Sequence, residues 1–420
     1  MNQKLFKQIR AEWRSNVWLC VELLIVSVVL WYIVDFCYVI YTVKHRPLGF
    51  DTEHCYSVTL ATVDTSSPEY EQGRDNWEDI AADRTELIER LRRRPEVEAA
   101  AYSHVSHPYQ GSNSGGDFTI DTLKTSGYTL MRLIQPDFLR VFRVEGVDGE
   151  TPEEMAQMIQ GHSALVSENL FDYDFDIKDM RPFVNKGIYM PGDTTNAIQV
   201  RGVTKTFRYN DYKQGQMNRC VFVNMGSLEH ANANELVVRV RENMDKDFID
   251  ALMADAPTQF HIGNQYICRV QSFDSIKDNI LRGDRRMEAQ YIIGLTFLLI
   301  NIFLGLLGTF WFRTQQRVAD IAVRMVNGAT RSDIFRLLVG EGLLLLSIVT
   351  PIAIAIDVNI AHLEFTQYLE AKGGEFLSAG RMILCSGIAY ALMALMIVAG
   401  ISIPARRAMR IAPAEALRDE

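Results

Sequence analysis

Four long apolar blocks constrain this chain more than any other feature. Val17–Tyr41 gives 25 residues with only Glu22 and Asp35 as charges. Tyr291–Phe312 gives 22 residues with none, Leu337–Ile356 gives 20 with only Glu341, and Met382–Ile403 gives 22 with none. A helix of about 20 apolar residues spans the hydrocarbon core of a bilayer, so each block is long enough to cross it. One such block can be the buried helix of a large core, but four in one chain point to a membrane. The overall composition, 48% hydrophobic and 23% charged, hides this segregation and alone suggests a soluble protein of two or three domains. The first block, behind the basic residues Lys4, Lys7, Arg10 and Arg14, exceeds the roughly 7–15 residues of a signal-peptide core. No small-x-small cleavage site follows it, so it reads as an uncleaved anchor.

Arginine and lysine in the short connections set the expected orientation. The leading segment 1–16 carries four basic residues and one acidic, 313–336 carries five arginines and two aspartates, and the tail from Pro404 carries four arginines. The 357–380 connection has one lysine against Asp357, Glu364, Glu370 and Glu375. Both termini and the 313–336 loop are therefore expected in the cytosol, with residues 44–287 and the 357–380 loop outside. The cytosolic pieces, of 16, 24 and 17 residues, are too short for a kinase, cyclase or ATPase domain. The outer region of 244 residues holds 28 Lys and Arg against 38 Asp and Glu, an acidic balance that gives no reason to expect nucleic acid. Of six cysteines, Cys20, Cys37 and Cys385 fall in apolar blocks. Cys55, Cys220 and Cys268 fall outside, an odd number that allows one disulfide at most.

Between the first two blocks short strands alternate with helices. His54–Val63, Val97–Val105, Phe118–Leu123, Leu165–Val166, Ile198–Val203, Val221–Val223, Leu236–Val240 and Tyr266–Val270 read as strands. Trp77, Ile80, Ala81, Leu87, Ile88 and Leu91 recur at helical spacing ahead of Pro95, and 153–159 and 248–253 read as further helices. The expected fold is an α-helical membrane protein with four transmembrane helices plus a large mixed α/β extracytoplasmic domain, of two lobes. The boundaries are a cytosolic amphipathic start and first membrane helix at 1–43, the outer domain at 44–287, and a part with three membrane helices at 288–420. Residues 275–290 lack a strand pattern and run into the second block, as a stalk continuing from the membrane would. There is no internal repeat and no low-complexity linker.

No G-x-x-x-x-G-K-[ST] loop, G-x-S-x-G elbow or H-E-x-x-H is present, so the chain has no P-loop for ATP and no recognisable hydrolytic centre. It is not expected to be an enzyme or to bind a cofactor of its own. His104 and His107 are a close pair, but three apart on a strand they face opposite ways, which makes surface histidines the simpler reading than a metal site. Glu22, Asp35 and Glu341 lie inside apolar blocks, where a charge costs roughly 2.5–3.5 kcal/mol at mid-bilayer and marks a functional candidate. Glu22 and Glu341 stand within the cytosolic turns of their helices, within reach of the interface or of Arg14 and Arg336, so a structural role is favoured over a proton relay. Asp35 has no evident partner in sequence. Pro351 is expected to kink the third membrane helix.

The most informative stretch is the loop from Arg317 to Ile334, R-V-A-D-I-A-V-R-M-V-N-G-A-T-R-S-D-I. Val318, Ile321, Ala322 and Met325 fall on one face of a short helix and Arg317, Asp320 and Arg324 on another. Gly328 ends or bends it, and Thr330 or Ser332 caps the next helix. Such a helix suits a groove on a cytosolic partner or the lipid surface, and periodicity leaves both open. The stretch resembles the signature of the MacB/FtsX-type ABC permease family, R-x-x-E-I-G-I-R-x-x-x-G-A, then an isoleucine, then a glutamate early in the next helix. Arg317, Ile321, Val323, Arg324, Gly328, Ala329, Ile334 and Glu341 match it. Asp320 stands where glutamate is usual and Ala322 where glycine is usual. The ending, with Pro404, Ala405, Arg406, Pro413, Glu415, Ala416 and Leu417, is similar to that family's, and so is the order of one helix, a large outer domain and three helices. The outer segments L-I-Q-P-D-F-L-R-V-F, A-L-V-S-E-N-L-F and R-G-V-T-K-T-F are more loosely similar to its periplasmic core domain.

The resemblance implies a permease subunit of an inner (plasma) membrane complex. Its partners would be a separate cytosolic ABC ATPase, which binds the ATP and Mg, a second permease subunit (the same chain or another), and membrane lipid. Residues 317–328 would be the coupling helix, with Arg317, Asp320, Ile321, Val323, Arg324, Gly328 and Ala329 meeting the ATPase, and the outer domain would be worked mechanically in export or efflux. Lipoprotein release, regulation of a cell-wall enzyme, and a receptor without ATPase are the competing roles. The 317–328 signature argues against the last.

Overall fold

The computed structural model describes residues 13–193, 195–212, 218–362 and 378–408. Residues 1–12 of the expected leading segment, most of the 357–380 connection and the tail motif beyond 408 lie outside the described residues. Among these, the helices in chain order are α1 (Trp13–His45), α2 (Trp77–Arg92), α3 (Asp137–Val141), α4 (Pro152–Met158), α5 (Asp172–Phe175), α6 (Phe248–Gln259), α7 (Phe273–Gln316), α8 (Val318–Val326), α9 (Arg331–His362) and α10 (Ala379–Ala408). The chain divides into two compact units, residues 43–285 and the remainder.

Residues 43–285 are built on one hydrogen-bonded sheet. Its strands are β1 (Cys55–Thr62), β2 (Val97–His104), β3 (Ser114–Gly116), β4 (Thr119–Ile120), β5 (Leu123–Lys124), β6 (Thr129–Ile134), β7 (Ser163–Ser167), β8 (Gly187–Tyr189), β9 (Ala197–Thr204), β10 (Cys220–Asn224), β11 (Glu235–Val240), β12 (His261–Ile262) and β13 (Gln265–Ser272). Their order is β12-β13-β1-β11-β2-β6-β10-β7-β9-β8-β4-β5, with β3 also on β6. The pairs β6·β10 and β7·β9 are parallel and the remaining pairs antiparallel. Alternate residues of the central strands enter different clusters, as a two-layer core requires. Ala99 and Ala101 of β2, Phe222 of β10 and Leu165 of β7 join one cluster with α3 and α4, while Ala100 and Tyr102, or Val221 and Val166, join the others. Burial on both faces gives continuous apolar runs instead of alternation.

Local chemistry explains the elements around the sheet. Asn76 caps α2 by accepting from the Asp79 amide at 2.8 Å, and acids at its start and arginines at its end suit the helix dipole. Leu87, Ile88 and Leu91 of α2 are buried against the sheet, each worth about 1.5–3 kcal/mol. Trp77, expected on that stripe, is instead exposed, because it opens the helix one turn before the buried face begins. Thr151 and Glu154 cap α4 reciprocally, amide to carboxylate at 2.8 Å and amide to hydroxyl at 3.3 Å. The single strand expected at 118–123 is a hairpin of β4 and β5, reversed at Asp121, whose φ of 53° is left-handed. Cys55, Cys220 and Cys268 are all free thiols.

In the other unit, α1, α7, α9 and α10 are long and apolar enough, by length and composition, to cross a membrane. Leu23, Leu30 and Trp31 of α1, Leu306 and Phe310 of α7, Leu345 and Leu346 of α9, and Met393 and Ile397 of α10 share one buried cluster. Gly342 of α9 sets the closest approach there, since a Cβ on it would lie 2.8 Å from Ile397. Helix α7 runs 44 residues, about 66 Å at 1.5 Å per residue and twice the hydrocarbon thickness. Pro351 lies inside α9, which is helical on both sides of it.

Candidate functional site

The site is the short helix α8 and the ionic clasp that holds it. Its C-terminus closes in a Schellman pattern: the Gly328 amide bonds the Met325 carbonyl at 3.1 Å and the Ala329 amide bonds the Arg324 carbonyl at 3.0 Å. Gly328 takes φ +91°, a conformation that a side chain strains, so glycine at this place is a backbone requirement. Thr330, not Ser332, caps α9. Its hydroxyl accepts from the Asp333 amide at 3.2 Å, and the Asp333 carboxylate accepts from the Thr330 amide at 3.1 Å.

At the other end, Arg317 precedes α8 and its carbonyl accepts the Ile321 amide at 2.9 Å. Its guanidinium donates to Glu341 Oε2 at 2.6 Å, and Arg313 at the end of α7 donates to Glu341 Oε1 at 2.7 Å. Glu341 on α9 is only 5% exposed, so one buried carboxylate ties α7, the start of α8 and α9 together. The partner suggested by sequence, Arg336, is replaced by these two, because α7 returns its last turn to the level of Glu341. A small cleft beside the clasp is lined by Leu19, Phe310, Thr314, Leu338 and Ile401.

The clasp and the buried Ile321 and Ala322 fix which way α8 faces. Val318, Met325 and Ala329 pack partly against the same cluster. Asp320, Val323, Arg324 and Val326 face outward, Val323 being 47% and Val326 65% exposed. Of the seven candidate coupling residues, Asp320, Val323 and Arg324 thus form an outer surface. Ile321, Arg317, Gly328 and Ala329 build and hold the helix that presents it.

The other intramembrane acids are placed differently. Glu22 on α1 accepts from the Thr309 hydroxyl on α7 at 3.0 Å. Asp35, for which the sequence offered no partner, is held by Arg381 of α10 through Nε at 2.7 Å and Nη2 at 2.6 Å. Asp357, placed by sequence in a loop, belongs to α9, where it is 2% exposed and its Oδ1 has no hydrogen-bond partner among the described residues. In the sheet unit His104 and His107 go to separate places, His104 Nδ1 to the Asn232 carbonyl at 2.9 Å and His107 Nδ1 to the Pro108 carbonyl at 2.7 Å.

No family model matches the chain, and no curated protein matches it. Among solved structures, the periplasmic region of MacB from Actinobacillus actinomycetemcomitans matches at 9% identity and TM-score 0.32, covering 57% of this chain and 97% of that one. The extracellular domain of the noncanonic ABC-type transporter YknZ from Gram-positive bacteria matches at 12% identity and TM-score 0.30, covering 51% of this chain and 100% of that one.

Proposed function

We propose that the chain is the membrane subunit of an ABC-type transport or mechanotransmission complex, with α8 as the surface on which a separate cytosolic ATPase docks. The observation that carries this reading is the pair Val323 and Val326, exposed beside Arg324 on a helix whose opposite face is locked into the bundle. A helix held by a buried ion triad and by its own core transmits a push instead of yielding to it, and exposed valines next to charges suit a protein groove. The lack of a P-loop fits a complex whose ATP and Mg are bound by the partner. The arginine-rich 313–336 loop supports a cytosolic side for α8 and both termini of an inner-membrane protein, with residues 43–285 on the far side. ATP-driven motion of α8 then passes through α7, which is one helix from the docking loop to Phe273 at the end of the sheet. Export or efflux is the work this arrangement serves, with cargo engaged outside the membrane.

The test is co-purification of candidate ATP-binding subunits with the wild-type chain and with a Val323→Glu, Arg324→Glu double variant. Both positions are exposed, so the variant retains its fold. An ATPase that accompanies the wild type and is lost from the variant upholds the reading. A folded wild type that recruits no ATPase, or a variant that recruits it equally, rejects it.

A further inference from the structure

Where α1, α9 and α10 pack together, near the ends of α9 and α10 that flank the 357–380 connection, the buried charges do not balance. Asp35 of α1 and Arg381 of α10 form one ion pair, in which the guanidinium engages both Asp35 oxygens. Asp357 of α9 is a second acid. It is 2% exposed, and its Oδ1 has no hydrogen-bond partner among the described residues. Its helix neighbours Ile354, Val358 and Ala361 share one apolar cluster with Trp31 and Val34 of α1 and Met382 and Cys385 of α10. The charge that acts on Asp357 from across the seam is Asp35, of the same sign. The Cys385 thiol meets Asp35 from α10, and the Tyr32 phenol stands near Asp35 on α1, with Tyr291 of α7 beyond it. A neutral thiol and two phenols offer no counter-charge.

An ionised carboxylate away from water and without a counter-charge is so unfavourable that the group becomes neutral unless a cation joins it. Two acids against one arginine therefore call for one further positive charge. A hard metal cation takes about six oxygen ligands, and Asp35 has none to give because Arg381 holds both of its own. A proton needs a single acceptor, and Asp357 Oδ1 is one.

We propose that Asp357 is a proton-binding site, which takes one proton from water to become a neutral carboxyl while the Asp35–Arg381 pair stays ionised. Release of that proton sets two negative charges against one positive in a buried seam, so the closure of α1 on α9 and α10 is tied to proton occupancy. The site is built from this chain alone, with or without an ATPase, and so does not rest on the function argued above.

The experiment uses the full-length chain purified in detergent. Infrared difference spectra between acid and alkaline pH should show the carbonyl band of a buried protonated carboxyl in the wild type. Asp357→Asn, which keeps the side-chain size and is neutral at every pH, should remove that band. The unfolding midpoint is the second readout. A folded chain that keeps a proton the unfolded chain has released loses stability as pH rises. The wild-type midpoint should therefore fall from mildly acidic to alkaline pH, and Asp357→Asn should equal it at the acid end and fall less. Cys385 is present in both proteins and cancels from the comparison. Lys372 lies outside the described residues, so Lys372→Ala separates a lysine partner from a proton; it should leave band and midpoint unchanged. The proposal is overturned if the wild type shows no band that Asp357→Asn removes. It is equally overturned if Asp357→Asn and Lys372→Ala lower the midpoint alike at mildly acidic pH, which makes Asp357 an ionised partner of that lysine. A midpoint that rises with sodium at fixed pH in the wild type and not in Asp357→Asn overturns it in favour of a metal cation.

Discussion

Asp35 on α1 and Arg381 on α10 are 346 positions apart and joined by two parallel hydrogen bonds, with both side chains buried. The planar fork of arginine fits a carboxylate in this way, and the pair neutralises two charges that neither helix accommodates alone. Breaking a buried pair from one side leaves the other charge uncompensated and costs about 3–5 kcal/mol. Arg381→Met is therefore expected to lower the unfolding midpoint of the chain in detergent sharply. Asp35→Asn combined with Arg381→Met should restore much of the loss, because no lone charge remains. If the double variant is as unstable as the sum of the singles, the two residues do not act as a pair.

The Glu341 clasp makes a prediction about α8. Glu341→Gln leaves Arg313 and Arg317 without their carboxylate while keeping the side-chain volume. With its N-terminal anchor loosened, α8 should open more often, and the amides of Ile321 to Met325 should exchange with deuterium about tenfold faster, a loss of about 1.4 kcal/mol of local stability. Amides in β6 and β10 serve as the internal reference and should not change. Unaltered exchange in α8 would mean that Ile321 and Ala322 hold the helix without the ionic clasp.

The parts of this structure legible in sequence are those written in continuous chain. Four apolar blocks foretold four long helices, and the face of α8 followed from its periodicity because Ile321 and Ala322 lie one position apart on a single turn. The partners across the bundle were not legible. Arg313 and Arg381 sit just outside the apolar blocks, where Arg313 reads as loop charge and Arg381 falls between the 357–380 connection and the last block, although Asp35 and Arg381 both lie near the same end of their antiparallel helices. Matching lone acids with flanking arginines at equal depth is the signal that would have found both pairs. Strand β6 was missed for a different reason. Thr129, Leu130, Arg132 and Ile134 are all buried, so Thr-Leu-Met-Arg-Leu-Ile shows no alternation of apolar and polar residues.

His230 supplies a pH dependence in the sheet unit. It is 6% exposed, its Nδ1 lies 3.0 Å from the Thr85 hydroxyl and its Nε2 meets the Gln135 amide. Burial, with the cations of Arg92 and Arg84 adding to it, holds its pKa below the ordinary value of 6.5. The sign follows from which state takes the proton. Above 6.5 both folded and unfolded chains carry a neutral imidazole and the residue adds no pH dependence. As pH falls below 6.5 the unfolded chain binds a proton that the folded chain refuses, so stability declines until the lowered folded pKa is reached. His230→Gln keeps a hydrogen-bonding side chain and removes the titration. Exchange of the β6 and β10 amides should accelerate between neutral pH and pH 5 in the wild type, after correction for the intrinsic rate, and the variant should show a flatter profile. The same acid dependence in both proteins would assign it to other groups and leave His230 as a neutral packing residue.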